Sequence, residues 1–107
     1  MNADVKSARE VSDIIAIVRR EQCRTRLLIY LDHVYPKRVA RSVLWAALSK
    51  SDSDLSLREV QSEVEYLIEK QLITSKREKR LRISARGRDF LDGHIEEVGL
   101  ADPAIFR

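Results

Sequence analysis

VEYLIEKQLITSKREKRLRISARGRDFL, residues Val64–Leu91, is the stretch that decides how this chain folds. Val64, Leu67 and Ile68 recur at helical spacing up to Gln71. Leu72-Ile73-Thr74 then runs apolar, and Leu81 and Ile83 alternate with Arg80 and Arg82, as strand residues do. Between the two runs lies Lys76-Arg77-Glu78-Lys79-Arg80, a basic tip. Ser84 offers an N-cap for a final helix through Phe90 and Leu91, with Gly93 as its stop. Gly87 inside that first turn is worth about 1 kcal/mol less than alanine on helix propensity alone. The order is helix, basic-tipped hairpin, helix.

Immediately upstream, Ser56-Leu57-Arg58-Glu59 fits a capping box and predicts that the helix before the hairpin starts at Leu57. Its apolar stripe is Leu57, Val60, Val64, Leu67 and Ile68. Lys50-Ser51-Asp52-Ser53-Asp54 is a turn by composition. Before it, Val43, Leu44, Ala47 and Leu48 form the apolar face of a short helix ending near Ser49, with Trp45 packing at its edge. Lys37–Ser42 begins extended and turns helical. Helix, polar turn, helix and hairpin together predict a mainly α fold with a small β-hairpin, a winged helix-turn-helix.

Further upstream, Ser7-Ala8-Arg9-Glu10 fits another capping box, which predicts a first helix over Ala8–Gln22. Val11, Ile14, Ile15 and Val18 make its stripe, which either packs on the domain or forms a dimer seam. Leu27, Leu28 and Leu31 mark a helix over Arg26–Val34, closed by Pro36. No Gly or Pro separates the two, so they read either as two helices or as one. The organisation expected is an extra N-terminal helix (1–23), a winged helix-turn-helix domain (24–95) and an irregular tail (96–107).

One modest core is what 107 residues can hold. Apolar residues at 44% and charged residues at 35% fit a globular chain. No apolar run has the length of a membrane span, and MNADVKSARE lacks the apolar core of a signal peptide. With Cys23 the only cysteine, a reducing compartment, the cytoplasm, is expected. The net charge of +3 conceals a pattern. Lys and Arg outnumber Asp and Glu ten to five in residues 1–50 and seven to three in 76–93. The balance reverses to two against six in 51–75 and one against three in 94–107. Basic segments therefore flank an acidic helix.

Catalysis finds little support. His33 and His94 are far apart, Cys23 has no histidine in a nucleophile motif, and no phosphate loop, H-E-x-x-H or paired-cysteine motif occurs. The expectation is no enzyme, no metal and no cofactor. For DNA, the Leu57–Gln71 helix presents Arg58, Glu59, Ser62, Glu65, Tyr66 and Glu69 away from its stripe. Arg58, Ser62 and Tyr66 suit a major groove, whereas three carboxylates on one face repel phosphate. The hairpin is better placed. Lys76, Arg77, Lys79, Arg80 and Arg82 supply backbone-binding charge, and Lys37, Arg38 and Arg41 lead into the preceding helix.

Val34-Tyr35-Pro36, the helix ending in Ala47-Leu48, the run Leu57–Ile73 and Ile83-Ser84-Ala85-Arg86-Gly87-Arg88-Asp89-Phe90-Leu91-Asp92-Gly93 carry a resemblance. Over roughly residues 26–100 the chain resembles the small winged-helix proteins of Mu-like bacteriophages and prophages, often labelled ArsR-like regulators. The resemblance implies a cytoplasmic phage or prophage protein. The chain departs from metal-responsive ArsR repressors in having no cysteine pair on the DNA-reading helix and Gln71 where glycine usually ends it. The function expected is that of a homodimeric regulator or accessory factor bound to double-stranded DNA. The alternative is an interaction module whose Glu59/Glu65/Glu69 face meets a basic protein partner.

Overall fold

In the computed structural model the described residues are 2–77 and 79–107, with side chains from residue 9 onward. Four helices and a small antiparallel sheet are formed by the described residues, as the mainly α reading requires. Helix α1 runs unbroken over Asn2–Val34. At 33 residues it is about 50 Å long, close to the 54 Å longest dimension of the molecule. Of the two readings left open, one helix or two, the structure has one, since no Gly or Pro interrupts the backbone ladder between residues 22 and 26. The expected start at Ala8 moves to Asn2, which leaves Ser7 within the helix; its side chain and Glu78 lie outside the described residues.

Strand β1 (Val39–Ala40) leads directly into α2 (Arg41–Ser49). Lys37 and Arg38 therefore precede a strand rather than opening the helix, and only Arg41 stands at its first position. Leu44 and Leu48 are the buried face of α2, whereas Val43 is 45% exposed, so the expected stripe is narrower than its four residues. Trp45 is half-buried and donates its ring N–H to the Leu55 carbonyl at 2.9 Å.

Helix α3 (Leu57–Glu69) begins as its sequence requires. The Ser56 hydroxyl accepts from the Glu59 amide at 3.0 Å, and the Glu59 carboxylate accepts from the Ser56 amide at 3.4 Å. The buried side chains are Val60, Glu63, Val64 and Leu67, while Leu57 at the first turn is largely exposed. A Schellman turn ends the helix: Leu72 donates to the Leu67 carbonyl and Gln71 to that of Ile68, both at 2.9 Å. Gln71 occupies the left-handed position at φ 63°, the place where glycine is favoured.

The hairpin consists of β2 (Ile73–Lys76) and β3 (Arg80–Ile83). β3 is central, paired with β2 on one side and with β1 on the other. Sequence periodicity gave no sign of β1, because two residues have no period and their pairing, Val39 with Leu81 and Ala40 with Arg80, is tertiary. Ile73, Leu81 and Ile83 face the core and are buried. They meet Leu27, Leu28 and Leu31 of α1, Leu44 of α2 and Val64 and Leu67 of α3 in one cluster. Full burial of each such side chain contributes about 1.5–3 kcal/mol.

Ser84 joins the hairpin to α4 (Ala85–Leu91). Its hydroxyl accepts from the Gly87 amide at 3.0 Å and donates to the Gln71 carbonyl at 2.7 Å. The tail then turns back across α1. Ala101 donates to the Glu21 carbonyl at 3.2 Å, Thr25 Oγ1 donates to the Ala101 carbonyl at 2.7 Å, and Leu100 and Pro103 are buried. Pro103–Phe106 forms a short 3₁₀ turn, the one regular piece in the tail.

Candidate nucleic-acid interface

Strand alternation sorts the hairpin into two faces. The register sets Thr74 opposite Arg82 and Lys76 opposite Arg80, all four away from the core face. Arg38 reaches over from the segment before β1, its Nη1 3.5 Å from Thr74 Oγ1. The tip turns through Arg77 at φ 55°, with the Lys79 amide 3.4 Å from the Lys76 carbonyl. Beside it lies an open cleft of about 460 Å³ lined by Arg38, Lys76, Arg77, Lys79 and Arg80. Every described lining residue is a cation, and none forms an ion pair with a described residue. Water screens their mutual repulsion, which for unit charges about 4 Å apart is on the order of 1 kcal/mol. A row of anions removes that repulsion and adds attraction.

Near Arg82, at the base of the hairpin, stands Tyr35, just beyond α1. The Arg82 guanidinium lies 5.9 Å from its ring centroid and that of Arg88 4.3 Å. Arg88 also meets Asp32, Nε to Oδ1 3.3 Å. The ring is still 41% exposed.

The outward face of α3 is a different surface. Arg58 and Ser62 are exposed, but they line a groove of about 1060 Å³ between α3 and α1, away from the hairpin cleft. Tyr66 is held within the fold. The Arg24 guanidinium sits 3.6 Å over its ring, and its hydroxyl donates to the Val98 carbonyl at 3.3 Å. Arg41 is paired with Glu65. Arg19 lies 3.7 Å from Glu59 and 3.5 Å from Asp52. Glu63, buried in the middle of α3, pairs with Arg24 of α1, which also donates to the Gly99 carbonyl at 2.8 Å. Thus the hairpin cations and Arg38 converge, while Arg58, Ser62, Tyr66 and Arg41 do not join them. Reading the residues missed Tyr35, Arg88 and Glu63. The spacing of Glu63 from Val60 and Leu67 put it on the buried stripe, and its charge hid that.

Val11, Ile14, Ile15 and Val18 are 43–61% exposed on the part of α1 that extends past the body. At about 3.6 residues per turn they fall nearly opposite Leu27 and Leu31, which carry the same helix into the core. In the structure the stripe is not buried against its own domain. Cys23 is buried, and loss of solvation, reinforced by Glu63, pushes its thiol up to about 11, so it is a poor nucleophile at neutral pH. His33 and His94 are both exposed, the latter 3.7 Å from Asp89. Among the described residues no group of three or more His, Cys, Asp or Glu side chains could hold a metal ion, and no described helix is long and apolar enough to cross a membrane. Compared with known proteins, the chain matches no family model and no curated protein.

Proposed function

We propose that this chain is a winged-helix protein that binds double-stranded DNA, with α2 and α3 as its helix-turn-helix and β2–β3 as its wing, and that it acts as a phage or prophage regulator or accessory factor. The observation that carries this reading is the hairpin cleft, whose lining among the described residues is Arg38, Lys76, Arg77, Lys79 and Arg80. Affinity for duplex DNA comes chiefly from cations at phosphates, and this is where the molecule offers them. Pairing of Glu59 with Arg19 and of Glu65 with Arg41 weakens the repulsion that the Glu59/Glu65/Glu69 face would otherwise bring, with Glu69 forming no ion pair with a described residue. The same two pairs reduce the charge that face offers a basic protein partner. With Tyr66 and Arg41 engaged in the fold, α3 contributes little base reading, and the wing supplies most of the affinity.

A labelled duplex of random sequence tests this. Binding at about 50 mM salt should weaken steeply as salt rises, and changing Lys79, Arg80 and Arg82 to alanine should reduce the slope of log K against log salt by about 2–3. Absence of salt-sensitive binding by the wild type sinks the reading.

The same proposal includes a homodimer through α1. Val11 and Val18, and Ile14 and Ile15, are placed symmetrically about one midpoint. An antiparallel pair on a two-fold axis there sets apolar residues against apolar residues, the self-complementarity a closed dimer needs. Ile14→Asp combined with Ile15→Asp should halve the mass in solution while leaving the domain folded, because both side chains are exposed. A wild type that sediments as a monomer overturns the seam.

A further inference from the structure

The basic face of the sheet does not stop at the hairpin tip. From Lys76 and Arg80 it passes through Arg38 and Arg82 to the Tyr35 ring, with Arg88 beyond. Only one carboxylate is paired with these cations among the described residues, Asp32 with Arg88. An exposed aromatic ring with guanidinium groups beside it, at the end of a cationic track, is what unpaired nucleotides require. The charges follow the backbone, and a base stacks on the ring or on the guanidinium plane beside it. A paired base inside a duplex cannot make that contact. The other surface that could read bases, the α3 face, is engaged with Arg19, Arg24 and Arg41 and bordered by α1.

We propose that the outer sheet face is a track for a single-stranded stretch of nucleic acid, with Tyr35 as its stacking platform and Arg82 and Arg88 holding the ring and the adjoining backbone. This rests on the reading of the hairpin cations as phosphate ligands, and adds that the preferred target has an unpaired segment. The platform is built by three elements that are distant in sequence: the end of α1, β3 and α4.

The test compares labelled oligothymidine with a duplex of the same length at one salt concentration. Tyr35→Ala should weaken oligothymidine binding about tenfold, the scale of one lost base stack, and leave the duplex unaffected. Tyr35→Phe should bind both as the wild type does. With the wild-type protein, a bromodeoxyuridine-substituted strand should photocrosslink to the peptide containing Tyr35, which keeps the test independent of how the alanine variant folds. A folded Tyr35→Ala protein with unchanged oligothymidine affinity, or a crosslink mapped only to other peptides, overturns the platform. If such a result comes with salt-sensitive duplex binding that depends on Lys79 and Arg80, the DNA reading survives alone. If neither nucleic acid binds, both fall.

Discussion

Gly87→Ala should destabilise the protein by about 3 kcal/mol, although alanine is the better helix former. Propensity alone favours the substitution by about 1 kcal/mol. The position decides otherwise. Gly87 is buried in the first turn of α4, where a Cβ would lie deep inside the contact distance of the Leu72 carbonyl oxygen and 2.7 Å from Ile83 Cγ1. The Ile83 side chain can rotate, but the carbonyl cannot. It is part of the backbone at the α3–β2 junction and already accepts from the Ser84 amide at 3.0 Å. Relief requires moving α4 away from the sheet, which lifts Phe90 and Leu91 out of the core. Overpacking of this kind costs about 1–3 kcal/mol before such losses. For a domain of this size, 3 kcal/mol corresponds to a fall in Tm of roughly 12–24 °C. Urea or thermal unfolding measures it, and an unchanged or raised midpoint contradicts the packing argument.

The second large effect is at Arg24. Its side chain is 14% exposed and that of its partner Glu63 9%. Arg24→Ala leaves a carboxylate buried beside α1, strips the Gly99 carbonyl of its donor and removes the cation from the Tyr66 ring. Removing one partner of a buried pair costs about 3–5 kcal/mol, far more than the pair itself contributes. Replacing both, as Arg24→Met with Glu63→Leu, should therefore recover most of the loss and leave a deficit of about 1–2 kcal/mol from the unpaired Gly99 carbonyl. Denaturant midpoints of the two variants against the wild type decide it. A double variant no more stable than Arg24→Ala would show that the stranded charge is not the cause.

What could be read in the residues was local. The Ser56 capping box, the hairpin between Leu72 and Ile83 and the Ser84 cap each need only neighbours a few positions apart. What could not be read needed contacts from elsewhere. Strand β1 exists only because β3 offers it a free edge. Glu63 is tolerated on a core stripe only because Arg24 arrives from another helix. Gln71 takes a backbone shape that its side chain disfavours, because the closing bonds of α3 hold it there. At the candidate site the tip cations were legible as a charge run. Their company was not: Arg38 joins across β1, and Tyr35 and Arg88 come from the end of α1 and from α4.

Helix α1 is continuous in geometry but not in what holds it together. Around Leu27 and Leu31 it is locked by the core, while residues 9–20 are all exposed and reach the rest of the domain through Arg19, near Asp52 and Glu59. An isolated helix of that length is marginal in water. Amide hydrogens near Leu31 therefore exchange with solvent only when the whole domain opens, whereas those near Ile14 exchange through local fraying. A second copy laid along the arm would close that gap, and exchange rates along a single helix would then report directly on assembly.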